Sequence, residues 1–192
     1  DVHTIDNNDN ADAFDMTPPS GLDGGANNSP YRALWNNYVL DTWLGTLANC
    51  SDNTEQPSST SNGNKFGPDA GNGRGITLSE PCRRIYQTIE VTPGAQYLFS
   101  VDSRSEHSGT LTEVFMLNTE IDSETGLTSA ASMVDAYMEI TNDVNGSISS
   151  DINNTFKTNT LTFIASSNFV TIYLRSTNSV SSTTEVFYDN LS

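Results

Sequence analysis

Three carboxylates stand at alternate positions in Glu120-Ile121-Asp122-Ser123-Glu124. On an extended strand that spacing puts all three side chains on one face. A nucleophile and a proton donor acting on a glycosidic bond need such a shared face. A retaining pair holds its carboxyls about 5 Å apart, whereas α-carbons four residues apart in a strand are separated by ~13 Å, so the side chains would have to converge. Ser123 replaces the apolar core residue expected at that position, and Thr125-Gly126 signals a turn immediately afterwards. Catalysis by Glu120, Asp122 and Glu124 is therefore the lesser reading.

Other residue types suggest binding instead. Trp35 and Trp43 are the only tryptophans, and a flat ring of this kind can stack on the apolar face of a pyranose or simply fill a core. Arg84, Tyr86, Arg104, Tyr173 and Arg175 fall on the off-core sides of three expected strands, where they are read as facing solvent. Arginine forks onto carboxylates, so these side chains suit an acidic glycan such as alginate, or else pair with the chain's own Asp102, Glu90 and Glu113. Cys50 and Cys82 are the only cysteines and are expected to form one disulfide in a chain of secreted composition. Closing that Ser-, Asn- and Gly-rich loop would contribute roughly 3–4 kcal/mol. Asp6, Asn8, Asn10 and Asp12 alternate like the ligands of a calcium loop but lack its glycine and its closing bidentate glutamate. Residues 1–12 read as an acidic linker or tail.

Composition bounds the partners. The 192 residues carry 8 basic and 24 acidic side chains, a net charge of −16. Nucleic acid and anionic membrane surfaces both require the opposite sign. The same charge repels a polyanion over distances comparable with the Debye length of about 8 Å in physiological salt. No apolar run approaches the ~20 residues of a membrane-spanning helix. The chain opens at Asp1 without a signal peptide, as a mature or excised segment would.

The elements that must position these residues are strands. In the stretch Arg83–Arg104, Ile85, Gln87, Ile89 and Val91 alternate on one side, and Tyr97, Phe99 and Val101 follow with the same period of two. Thr92-Pro93-Gly94 reverses the chain between them as a hairpin turn. Leu111–Ile121 is apolar on both sides, predicting a central strand with a covered face or an exposed aromatic. Val134, Ala136, Met138 and Ile140 form a further core row, with Tyr137 and Glu139 opposite. Phe156–Ala165 and Phe169–Arg175 add Leu161, Phe163, Val170, Ile172 and Leu174 to the core. Glu185–Leu191 closes the chain. Tyr31–Leu47 fits a short helix or a strand, and 51–73 reads as a long loop. The prediction is a single all-β sandwich over 13–192, of jelly-roll type.

The motifs Gly73-x-Gly75-Ile76-Thr77-Leu78, Ile85-Tyr86-Gln87-Thr88-Ile89-x-Val91-x-Pro93-Gly94-x-x-Tyr97-x-Phe99-Ser100-Val101 and Val186-Phe187-Tyr188-Asp189-Asn190-Leu191 resemble jelly-roll, galactose-binding-like carbohydrate-binding modules of the family 4, 9, 16 and 22 group. With Cys82-Arg83-Arg84-Ile85-Tyr86-Gln87, the chain also resembles modules of surface glycan-binding lipoproteins from marine Bacteroidetes. The resemblance implies non-catalytic binding of a polysaccharide by part of a larger glycan-capture protein, extracellular or on the outer-membrane surface; within that reading the net charge, which repels a polyuronate, favours a neutral β-glucan such as laminarin over alginate. It further implies a structural calcium joining first and last strands, held by Asp15 and Asp189, although Asn190 replaces the family's second terminal acid. The Glu120–Glu124 carboxylates resemble the motif of family-16 glycoside hydrolases, but the chain is short for that family. A structural or adhesion sandwich without a glycan is the remaining alternative.

Overall fold

The structure is a computed structural model and describes residues 58–60, 75–81, 84–121, 124–144, 156–189 and 191. Among the described residues there are nine strands and no helix: β1 (Ser58–Thr60), β2 (Gly75–Leu78), β3 (Arg84–Glu90), β4 (Gln96–Ser105), β5 (Thr110–Leu117), β6 (Val134–Asn142), β7 (Lys157–Ile164), β8 (Phe169–Ser176) and β9 (Val186–Asp189). They form a five-stranded sheet in the order β1-β2-β9-β4-β7 and a four-stranded sheet in the order β3-β8-β5-β6. Every pairing is antiparallel. From β2 onward each connection except β5–β6 crosses from one sheet to the other. This is the all-β jelly-roll sandwich expected from the alternation.

The core lies between the sheets. Ile85, Val91, Val170, Ile172 and Leu174 of one sheet meet Phe99, Val101, Phe163 and Tyr188 of the other. All but Tyr188 belong to the rows that the period of two selects, because successive strand side chains point to opposite faces. β5 is the central strand predicted from its two-sided apolar pattern: Val114, Phe115, Met116 and Leu117 are all fully buried, and β8 and β6 flank it.

Two expectations need correction. The strands joined at Pro93-Gly94 are not a paired hairpin, since β3 and β4 belong to different sheets. The turn is an arch, and its backbone bonds to the β7–β8 connection instead: Gly94 N donates to Ala165 O at 2.7 Å, Ala165 N to Ala95 O at 3.0 Å, and Val91 N to Asn168 O at 3.0 Å. Gly94 takes φ +81°, a conformation that costs a residue with Cβ.

Val134 is the second correction. The β5–β6 register slips between Met116 and Leu117, so Met116 pairs with Ala136 and Leu117 with Val134. Asp135 is the extra residue of this bulge, and Val134 therefore turns away from the inter-sheet core. The bulged Asp135 is put to use: it accepts from Ser166 N at 2.9 Å, Ser166 Oγ at 2.6 Å and Asn118 Nδ2 at 2.9 Å.

Candidate functional site

The outer face of the four-stranded sheet gathers Arg84, Tyr86, Tyr173 and Arg175 of the residues singled out above. Its register builds three rows across β3, β8, β5 and β6. One is polar: Arg84, Arg175, Glu113, Glu139. The next is aromatic: Tyr86, Tyr173, Phe115, Tyr137. The third is Thr88, Thr171, Leu117, Val134. Ring centroids along the aromatic row lie 5.6, 6.4 and 4.9 Å apart in tilted contacts, the spacing at which ring quadrupoles attract.

The segment between β5 and β6 roofs part of this face. Ile121 and Leu127 are buried against Tyr86, Phe115, Leu117 and Tyr173, and Met133 packs beside them. The ends of the segment are clasped by Asn118 N to Met133 O at 2.9 Å and Asn118 Nδ2 to Ser132 O at 3.1 Å. Glu124, ahead of the turn at Gly126 (φ +78°), descends from it to the sheet. Arg84 Nε and Nη2 donate to its two carboxylate oxygens, Tyr173 Oη donates to Oε1, and Arg175 Nη1 stands 3.6 Å from Oε2. Burial alone would raise the Glu124 carboxyl, but Arg84, Tyr173 and Arg175 outweigh it and hold it below the usual carboxylate range.

Arg84, Tyr86 and Tyr173 were expected to face solvent and do not. They are 2%, 6% and 0% exposed, because the roof covers them. The open remainder of the face is the other end of the polar row. Tyr137 Oη donates to Glu113 Oε1 at 3.0 Å, and Arg175 Nε donates to Glu113 Oε2 at 2.6 Å. The Arg175 guanidinium lies 4.8 Å from the centre of the Phe115 ring. Burial first, then the Glu113 carboxylate, pushes the Tyr137 hydroxyl up to about 12, so it stays a donor at neutral pH. Glu139 is exposed beside it.

Arg104 lies on the five-stranded sheet, away from this face. It too is buried, 1% exposed, with its guanidinium 4.9 Å from the Phe187 ring centre and 5.5 Å from that of Phe156. Desolvation lowers it to about 10, against the pull of Glu106. The expectation of a solvent-facing Arg104 is corrected by this aromatic enclosure.

The carboxylate motif is not a one-faced strand. β5 ends at Leu117; Glu120 is exposed beyond it, Asp122 lies outside the described residues, and Glu124 is engaged by the two arginines and Tyr173. A general acid needs its acidity weakened, and Glu124 is shifted the other way.

Trp35, Trp43, Asp15, Cys50 and Cys82 lie outside the described residues. Asp189 is on β9 with its α-carbon opposite that of Asp102 on β4. Asp102 itself accepts from the Thr158 hydroxyl. Among the described residues no group of three or more acidic, histidine or cysteine side chains could hold a metal ion.

A second acidic pair sits where β4 and β9 meet. Glu106 N donates to Glu185 O at 2.9 Å, next to the Ser105–Val186 pairing. Burial, and then the neighbouring Glu106 charge, raises Glu185 to about 7. A raised carboxyl favours the fold fully below its unfolded value of 4.5 and loses that contribution as pH rises through 7. Glu185→Gln is expected to stabilise the protein at pH 8 by about 1–2 kcal/mol and to flatten this part of the pH profile. Urea midpoints of both proteins from pH 4 to pH 8 check it; parallel profiles would contradict it.

No protein-family model matches the chain, and no curated protein does. Solved structures similar in fold include a CBM4 structure, at 13% identity, TM-score 0.45, 62% of this chain and 68% of the other. Another is a carbohydrate-binding module CBM36 in complex with calcium and xylotriose, at 13% identity, TM-score 0.41, 66% and 85% coverage. A third is a CBM61 in complex with β-1,4-galactotriose, at 8% identity, TM-score 0.42, 70% and 78% coverage. At these identities the likeness is one of fold alone.

Proposed function

We propose that this protein binds a polysaccharide without cleaving it, at the open end of the four-stranded sheet's outer face. The observation that carries the reading is the partly exposed chain Tyr137–Glu113–Arg175, hydrogen-bonded across three adjacent strands over the buried Phe115 ring. Side chains fixed in this way present donors and acceptors to sugar hydroxyls without further ordering, and the edge of Tyr137 adds apolar contact. The sequence motifs shared with jelly-roll carbohydrate-binding modules support the same class.

A neutral β-glucan such as laminarin fits better than alginate. The arginines that would meet a uronate are already engaged: Arg84 by Glu124, Arg175 by Glu113, and Arg104 within its aromatic enclosure. Net charge of −16 adds long-range repulsion. Tyr137→Ala is expected to weaken retention in a laminarin gel roughly tenfold while the melting temperature stays within a few degrees. Unchanged retention in Tyr137→Ala together with loss in Trp35→Ala or Trp43→Ala would move the site to the tryptophans. Retention by no glycan would favour the structural or adhesion alternative.

Two supports belong to the same reading. One is a disulfide between Cys50 and Cys82. The other is a structural calcium at Asp15 and Asp189; hard oxygen donors suit that ion. A chelator is expected to lower the melting temperature by several degrees. A midpoint unmoved by chelator, with no metal in the purified protein, would remove calcium from the account. The secreted or outer-membrane setting within a larger glycan-capture protein is part of this proposal.

A further inference from the structure

The polar row contains a second arrangement at its roofed end, which meets the open end only through Arg175. Arg84 and Arg175 are directly opposite each other on neighbouring strands, so without an anion their charges would repel. Both belong to the sheet, as does Tyr173. The anion does not: Glu124 comes from the connecting segment, beyond the end of β5. Arg84 is committed on all sides, with Nη1 donating to Pro81 O at 2.9 Å and Ser176 O at 3.2 Å while Nε and Nη2 take the two carboxylate oxygens. That two-point geometry fits any carboxylate, whatever carries it.

We propose that Arg84, Arg175 and Tyr173 form a carboxylate-binding cradle which Glu124 fills as an internal ligand, and that Glu124 thereby excludes uronic-acid glycans from this sheet face. The cradle rests on geometry alone; the exclusion of acidic glycans rests on the glycan-binding reading. Glu124 is a specificity determinant because its carboxylate holds the position a uronate would take. Its removal takes the carboxylate from buried Arg84, while the partly exposed Arg175 keeps Glu113.

The test is Glu124→Ala, melted in sodium acetate and in sodium chloride at equal ionic strength. About 100 mM acetate is expected to raise the variant's melting temperature several degrees above its value in chloride, with wild type the same in both salts. Adding Arg84→Leu to the variant should abolish the acetate effect. If Glu124→Ala does not fold in chloride, recovery of its near-ultraviolet dichroism in acetate is the supporting result. Equal behaviour in both salts overturns the cradle. In an alginate gel, retention of Glu124→Ala but not of wild type supports exclusion, and retention of neither overturns that half. An acetate effect without retention by any glycan, laminarin included, keeps the cradle and removes the glycan reading.

Discussion

Arg84→Leu is expected to destabilise the protein by about 3–5 kcal/mol, the cost of removing one partner from a buried ion pair. Glu124 would keep only the Tyr173 hydroxyl and the more distant Arg175, at 3.6 Å. Pro81 O and Ser176 O would each lose a donor. The double variant Arg84→Leu/Glu124→Leu should recover much of the loss, because apolar replacement of a whole buried pair is often close to neutral. Chemical denaturation of wild type, both single variants and the double variant measures the coupling. Additive single effects would mean that the pair contributes nothing jointly. Acid should act on the same contact. A depressed carboxyl stabilises above its unfolded value and loses that contribution as pH falls through its folded one, so the Glu124 contribution is present at neutral pH and disappears on acidification.

The second large effect is expected at Phe115. It is fully buried on the outer face of β5, between Tyr137 and Tyr173 and beneath Arg175. Phe115→Ala should cost about 3–5 kcal/mol, lowering the melting temperature by roughly 10 °C in a protein of this size. The roof should loosen with it, since Ile121 and Leu127 pack on the same cluster. Faster amide exchange at Leu127, whose N–H bonds to Glu124 O at 3.0 Å, reports that loosening. A small loss of stability with unchanged exchange would show that this outer cluster holds little.

These two residues illustrate what the sequence made legible. Phe115 belongs to a run apolar on both sides, and that pattern alone predicts a strand covered twice. The cover itself was legible only as a turn at Thr125-Gly126; Ile121 and Leu127 have no period to show which face they would meet. Arg84 and Tyr173 were read as solvent-facing because alternation says which side of a strand a residue takes, not what lies over that side. Strand partners are equally nonlocal. The alternation assigned Ile85, Phe99 and Ile172 to the core, yet nothing local to Pro93-Gly94 distinguishes an arch between sheets from a hairpin within one. The bulge at Asp135 was hidden for a related reason: Val134 keeps the parity of Ala136 in sequence and loses it only in the β5–β6 register.

The carboxylate motif shows the converse error. Spacing of two suggested three acids on one strand face, but the strand ends before the first of them. What remains is one glutamate serving two arginines. Pairing of Arg175 with Glu113 was among the sequence expectations; pairing of Arg84 with Glu124 was not. Tyr137, noted only as lying opposite the core row, joins Glu113 at the open end of the face.

The central claim is non-catalytic binding of a neutral glycan, and affinity electrophoresis tests it most directly. Wild-type protein is run in gels containing laminarin or alginate, and the same protein is incubated with both polymers and assayed for new reducing ends. The account predicts retardation in laminarin, free migration in alginate, and no reducing ends from either. Steady release of reducing ends that disappears in Glu120→Gln, or free migration in laminarin, would contradict it.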